Sequence, residues 1–336
     1  MLDDCKAAQE YIYFEQFIWK NFDEGEIGAR FLEVFKQKVA EGVKVRLIID
    51  TVGSIGLYTS PLKQKEITDT GIELQFFGLV PRWRSLFPFN LIHRDHRKIL
   101  IIDDKISHVG GVIVSQEASD WEDINARITD VEYVHDIKGA FLRMWDEVAG
   151  TKDNEGSYDL NTDYLLKNNP EHNDLYNEIL HRIRHAQKKI SIVTPYISPD
   201  WKIMRALKKA RKRGLLVEII LPEKCDSKLT AMVAQSYLRQ LYRYKIDVYH
   251  YQNCMNHGKM VIIDDWVTLG SMNFDRLSFF YNRELNVVFQ KDQQQYEELV
   301  SKLKSCSNKV DRSYFTGKGL MFELQSLIGR LLRPIA

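Results

Sequence analysis

The pattern His-x-Lys-x-x-x-x-Asp occurs twice in the chain, as His96, Lys98 and Asp103 in HRKILIID and as His257, Lys259 and Asp264 in HGKMVIID. An internal repeat constrains a fold more than any single propensity does, because a repeated unit must bury its apolar face against a neighbour. The two histidines stand 161 residues apart in a chain of 336. That length suits two fused halves better than one ordinary domain of about 100–200 residues.

The residues around each copy repeat as well. In 27–41, Phe31, Val34, Phe35 and Val39 share one helical face, Gly42 stops the helix, and 43–49 read as a buried strand. In 201–213, Ile203, Ala206, Leu207 and Ala210 share a face, Gly214 stops the helix, and 215–221 read as the next strand. Apolar strands at 11–19 and 189–196 precede these helices. The expected class is α/β: two halves related by a pseudo-twofold axis, each a mainly parallel sheet flanked by helices, with one site shared at their interface. The first half is expected over 1–150, a polar connection rich in Asn and Asp over 151–173, the second half over 174–315, and an amphipathic helix over 316–336. On that helix Leu320, Leu324, Leu327 and Leu331 recur, with Met321, Ile328 and Leu332 widening the stripe. Docking on the protein's own core and lying in a membrane interface both fit such a stripe. Between helix-stop glycine and histidine the first half holds eleven residues more than the second. The surplus is placed at 81–91, where Trp83, Leu86, Phe87, Phe89 and Leu91 fit either buried packing or a lipid-facing lip.

Composition removes several classes. The 44% hydrophobic and 28% charged fractions are those of a globular chain, not a disordered or fibrous one. Forty-seven Lys and Arg against 46 Asp and Glu leave +1, so no basic excess points to nucleic acid. Cys5, Cys225, Cys254 and Cys306 show neither C-x-x-C nor zinc spacing and read as reduced thiols. No apolar run approaches the roughly 18–20 residues of a membrane span, so a soluble or peripheral protein is expected. The basic run Lys202, Arg205, Lys208, Lys209, Arg211, Lys212 and Arg213 reads first as a solvated helix face, with attraction to anionic lipid as its functional alternative.

On an extended strand, residues i and i+2 face the same way, which groups His96 with Lys98 and His257 with Lys259. Asp103 and Asp264 lie an odd number of positions beyond the histidines and read as structural residues at the strand ends. Asp123 stands 27 residues after His96, and Glu284 stands 27 residues after His257. Acids in those positions suit carboxylates that orient an imidazole. Two imidazoles and two ammonium groups suit phosphoryl transfer without a metal: one ring attacks phosphorus, the other protonates the leaving oxygen, and the lysines neutralise the nonbridging oxygens. One copy supplies only half of this, so both must meet at one site.

The double motif, followed by Gly110-Gly111 and by Gly270-Ser271-Met272-Asn273, resembles the phospholipase D superfamily. Asn90-Leu91-Ile92-His93-Arg94-Asp95-His96-Arg97-Lys98, Pro195-Tyr196-Ile197-Ser198-Pro199-Asp200 and Asn282-Arg283-Glu284-Leu285-Asn286 look like bacterial cardiolipin synthases of the phospholipase D type. The resemblance implies transfer of a phosphatidyl group between two phosphatidylglycerols through a phosphohistidine, releasing glycerol, with no cofactor. By the same resemblance His96 is the nucleophile, His257 the general acid and then base, and Lys98, Lys259, Ser271 and Asn273 hold the phosphate. It also implies a peripheral enzyme on the cytoplasmic side of a bacterial membrane, with phosphatidylglycerol and the anionic membrane surface as partners and no nucleic acid. Ile113 departs from the pattern, standing where the first copy would carry the counterpart of Asn273. Two alternatives stay open: a phosphodiesterase of the same superfamily hydrolysing phospholipid or nucleic acid, and a noncatalytic lipid-binding relative.

Overall fold

In the computed structural model, which describes residues 1–79, 92–151, 164–290, 293–316 and 318–333, the four-residue apolar run inside each motif is a buried strand within a sheet. The first half forms β1 (Tyr11–Gln16), β2 (Lys44–Asp50), β3 (Glu73–Phe77), β4 (Ile99–Ile102), β5 (Ile106–Gly110) and β6 (Asn125–Ile128). Among the described residues these lie side by side as β3-β2-β1-β4-β5-β6. The second half forms β7 (Leu165–Asn168), β8 (Lys189–Val193), β9 (Ile197–Ser198), β10 (Leu216–Pro222), β11 (Asp247–Tyr251), β12 (Met260–Ile263), β13 (Trp266–Gly270), β14 (Phe274–Asp275), β15 (Glu284–Phe289) and β16 (Ser307–Lys309). Its main sheet runs β16-β11-β10-β8-β12-β13-β15-β7, and β9 pairs with β14 separately. The inner six strands repeat the order of the first sheet, as the duplicated pattern requires.

Pairing corrects one expectation. Within the two main sheets, among the described residues, only the strands joined by crossover helices are parallel: β1, β2 and β3 in one, and β8, β10 and β11 in the other. The motif strands β4 and β12 run antiparallel to β1 and β8, and tight turns return them into antiparallel β5 and β13. Both sheets are therefore mixed rather than mainly parallel. A continuous apolar run reports burial on both faces, not strand direction, and here both faces are covered. On β4, Ile99 and Ile101 face the opposite sheet while Leu100 and Ile102 face the helix layer. On β12, Met260 and Ile262 join the same central core as Ile99 and Ile101, while Val261 and Ile263 face outward. This alternation packs one half face to face on the other.

The helices follow the reading closely: Ile27–Ala40 and Trp201–Lys212 end beside Gly42 and Gly214, which take φ of 90° and 94°. Helix Val131–Ala149 closes the first half and stops at Gly150, φ 68°. The connection at 151–173 is not only a covering loop, because Leu165 and Leu166 are buried in β7 beside β15. The aromatic insertion at 81–91 lies outside the described residues.

Asp103 and Asp264 sit in left-handed backbone, φ 52° and 53°, which a short polar side chain tolerates. Asp103 accepts the backbone N–H of Gln9, Glu10 and Tyr11 at 2.7–2.8 Å. Asp264 accepts those of Gln187, Lys188 and Lys189 at 2.7–3.0 Å. Each aspartate thereby ties the end of the motif strand to the start of the strand beside it, β1 in the first half and β8 in the second. Asp103→Ala strands these donors and should lower stability by about 2–3 kcal/mol, with Asp103→Asn milder. Urea unfolding checks this, and a loss below about 0.5 kcal/mol would contradict the tie.

Candidate active site

The histidine and lysine of each motif lie just before the motif strand, in extended chain that belongs to no sheet. What holds them there comes from the other half. Asp95 bridges Arg283: the His96 N–H donates to the Arg283 carbonyl at 3.0 Å, and the Arg283 N–H donates to the Arg94 carbonyl at 2.8 Å. The second motif mirrors this, with the His257 N–H donating to the Glu122 carbonyl at 2.7 Å and the Glu122 N–H to the Met255 carbonyl at 2.9 Å. Arg283 and Glu122 immediately precede Glu284 and Asp123, so each backbone bridge delivers one half's carboxylate beside the other half's histidine.

The side chains complete the exchange. His96 Nδ1 lies 3.0 and 3.1 Å from the two Glu284 oxygens, and His257 Nδ1 lies 2.7 Å from Asp123 Oδ2. An ionised carboxylate only accepts, so each Nδ1 carries the hydrogen and each Nε2 keeps its lone pair for another group. Sequence spacing shows the acids as equivalent but not which histidine each one meets. Both pairs cross between the halves.

Lys98 Nζ donates to the His96 carbonyl at 2.5 Å, and Lys259 Nζ donates to the His257 carbonyl at 2.6 Å while lying 3.0 Å from His257 Nε2. All four motif side chains are buried. Burial, reinforced by the positive charge of Lys259, pushes Lys98 down to about 7, and burial takes Lys259 to about 8 against the pull of Asp123 and Glu284. Burial and Lys259 push His257 down to about 4, with Asp123 opposing. Burial also lowers His96, countered by Glu284 and aided by Lys98. Burial works against the charge on Glu284, but His96, Lys98 and the Ser271 hydroxyl outweigh it and hold the acid below its ordinary range. Each lysine acts electrostatically on the other half's histidine, so both motifs share one field.

One expectation about the surrounding residues changes. Ser271, expected to bind phosphate, donates its hydroxyl to Glu284, and Ser278 donates to the other Glu284 oxygen at 2.6 Å. Ser271 thus positions an acid and has no hydrogen left for substrate. Asn273 is buried, its backbone N–H donates to Ser278 Oγ at 3.1 Å, and its amide oxygen has no partner among the described residues. The counterpart of Ser271 is Gly111, where an added Cβ would lie 2.2 Å from Asp123 Oδ1. The shorter acid needs the space that a side chain would take.

Sequence reasoning missed an ionic network under the first motif. Arg97 pairs with Glu15 at 2.5 Å and with Asp95 at 3.2 Å, and all three are buried. Asp50 accepts the Asp95 N–H at 3.1 Å, and burial pushes this acid up to about 6. The strand registers match Glu15 to Val193, while Asp95 and Arg97 fall opposite Asn256 and Gly258, so the second half lacks the network. Glu15, beside Gln16 at the end of a buried strand, was its visible signal. Phe17 stands 5.0 Å from the His96 ring and Trp121 5.1 Å from the His257 ring, and both wall the site.

Paired halves, each lending a carboxylate to the other's imidazole beside two buried lysines, define a phosphoryl-transfer fold with one composite centre. The same fold is seen in the phosphatidylserine synthase of Haemophilus influenzae, at TM-score 0.73 and 15% identity over 99% of this chain and 89% of that one. The family model described as cardiolipin synthase, phospholipase D-like domain, matches residues 1–145 and 179–306, and the chain belongs to that family. Among its relatives, a cardiolipin synthase of Clostridium perfringens is 27% identical across the whole chain and 74% of its own length. A minor cardiolipin synthase of Bacillus subtilis is 30% identical over 85% of this chain and 73% of its own.

Lys98 and Lys259 carry charge below about pH 7 and 8 and lose it above. Competitive binding of inorganic phosphate should therefore weaken about tenfold or more between pH 6 and 9. The ligand-free fold should show the opposite slope, gaining stability from about pH 7 toward 10.5, where the unfolded lysine releases its proton. Calorimetric titration and unfolding across that range check both signs, and a flat binding profile would contradict the assignment. Gly111→Ala should displace Asp123 and lower kcat about a hundredfold with folding retained, whereas near-normal kcat would show that Asp123 has room to spare.

Proposed function

We infer that the chain is a phosphatidyltransferase acting on phospholipids, and specifically a cardiolipin synthase that joins two phosphatidylglycerols. The observation that carries this reading is the crossed pair of carboxylate–imidazole bonds, Glu284 to His96 and Asp123 to His257. It is supported by cardiolipin synthases that align along the full chain.

In the proposed reaction His96 Nε2 attacks the phosphorus of the first phosphatidylglycerol. The bond to the glycerol oxygen breaks, its electron pair leaves with that oxygen, and the proton on His257 Nε2 is passed to it. The phosphatidyl group is then held on His96, whose positive ring is balanced by Glu284. The hydroxyl of a second phosphatidylglycerol gives its proton to His257 and attacks phosphorus, and the phosphorus–nitrogen bond breaks to release cardiolipin. Lys98 and Lys259 neutralise the nonbridging oxygens throughout. With an empty site burial keeps His257 neutral, and the incoming phosphodiester anion supplies the charge that lets its ring hold a proton.

The fully hydrogen-bonded Glu284 favours His96 for the covalent step, since that ring must bear a positive charge for the lifetime of the intermediate. His257, backed by the less enclosed Asp123, suits the proton-carrying role. Asn273 is proposed as a positioning residue at the phosphate and the division into halves at 1–150 and 174–315 as the functional one. The enzyme is placed at a membrane surface on its cytoplasmic side. No helix of the described residues is long and apolar enough to cross a bilayer.

Labelled phosphatidylglycerol in liposomes should give cardiolipin and glycerol in equal amounts, with phosphatidic acid a minor product. Phosphatidic acid as the main product would make water the acceptor and replace the transferase by a phospholipase.

A further inference from the structure

The helix Leu320–Leu332 keeps one face on the protein and turns the other away from it. Phe322, Ser326 and Gly329 pack on the helix Lys228–Arg243, so tightly that a Cβ on Gly329 would lie 2.0 Å from the Met232 carbonyl oxygen. The seat is locked by Gln235 Nε2 donating to the Phe322 carbonyl at 2.8 Å, by an Arg239–Glu323 ion pair, and by Arg333, whose Nε donates to Ser236 Oγ at 2.8 Å. The helix cannot roll to hide its opposite side. There Leu320, Met321, Leu324, Leu327, Ile328 and Leu331 are exposed, Leu320 at 86% and Leu331 at 74%. Single exposed leucines need no explanation, but six large apolar side chains on one 13-residue helix do.

The surroundings show what this stripe meets. Arg330 is exposed on the same helix, and the helix's acid, Glu323, is paired with Arg239. The Arg333 guanidinium lies 3.7 Å over the Tyr237 ring, and the Tyr237 hydroxyl donates to the Pro199 carbonyl at 3.1 Å. Two residues further on, Trp201 is 66% exposed at the start of the helix that carries Lys202, Arg205 and Lys209. Three residues before Pro199, the Tyr196 ring stands 6.4 Å from His257. The protein thus exposes an apolar stripe with an arginine on one helix, and a tryptophan with a run of cations on another. That combination fits the interface of a bilayer containing anionic phospholipid.

We propose that Leu320, Met321, Leu324, Leu327 and Leu331 enter the headgroup region of an anionic phospholipid bilayer and hold the protein there as an interfacial anchor. The identity of the surface rests on the phospholipid-transfer reading, and the geometry of the stripe does not.

The test compares the wild-type protein with Leu324→Glu/Leu327→Glu, measuring cosedimentation with vesicles of phosphatidylglycerol and phosphatidylcholine and with vesicles of phosphatidylcholine alone. The variant's thermal unfolding is followed alongside, and Leu320→Glu/Leu331→Glu serves as a second variant should the first be destabilised. Transfer on short-chain phosphatidylglycerol below its micelle concentration is assayed in parallel. The expected result is wild-type binding that prefers anionic vesicles and falls about tenfold or more in the variant, with transfer on dispersed substrate unchanged. Equal vesicle binding by both proteins would overturn the proposal. So would a wild-type dimer that ignores vesicles and dissociates in the variant, since the face then belongs to a second copy of the chain. Normal loss of vesicle binding without transfer by either protein would leave the anchor standing and refute the catalytic reading instead.

Discussion

Everything in this molecule depends on two carboxylate–imidazole bonds that cross between its halves. Glu284 belongs to the second half and orients His96 of the first; Asp123 belongs to the first half and orients His257 of the second. Charge-assisted bonds of this kind contribute about 1.5–3 kcal/mol each, and removing one partner leaves a buried charge uncompensated at a cost of about 3–5 kcal/mol. The face-to-face packing of the sheets through Ile99, Ile101, Met260 and Ile262 sets the distance at which these bonds close. Neither half could hold its own histidine in the reactive tautomer alone.

Duplication made the halves alike, and specific substitutions have made them different. The second half gives its acid a longer reach, glutamate, and steadies it with the Ser271 and Ser278 hydroxyls. The first half uses aspartate and clears space for it with Gly111. Beneath His96 lies a buried network of Glu15, Asp95, Arg97 and Asp50, and beneath His257 the corresponding positions are apolar, neutral or glycine. Such a network costs desolvation and earns little net stability, so its value lies in fixing the chain that presents one histidine. The environments of the two rings differ accordingly, as a division between covalent and proton-transfer roles requires.

Much of this was legible in the chain. The helix-stop glycines, the crossover helices, the strands inside the motifs and the acids 27 residues onward are local patterns, and local patterns survive into the structure. What was not legible is relational. A repeat maps His96 and Asp123 onto His257 and Glu284 whether the acids serve their own half or the other, so spacing carries no information about the crossing. Strand direction was hidden because strands buried on both faces read alike in either sense. The hydroxyl of Ser271 could be given its partner only once Glu284 was in place. The C-terminal helix docks not by its leucine stripe but by Phe322, Ser326 and Gly329, with the leucines turned outward.

The central claim, that two imidazoles from different halves act on one phosphorus, is tested most directly by catching the covalent state. The protein should be mixed with phosphatidylglycerol, quenched in alkali within milliseconds to seconds and mapped by mass spectrometry, beside a Glu284→Gln variant. The account predicts a phosphatidyl group on His96, none on His257, and far less adduct when Glu284 is altered even though that residue lies in the opposite half. Rapid turnover with no histidine adduct, or an adduct on His96 that is indifferent to Glu284, would contradict it.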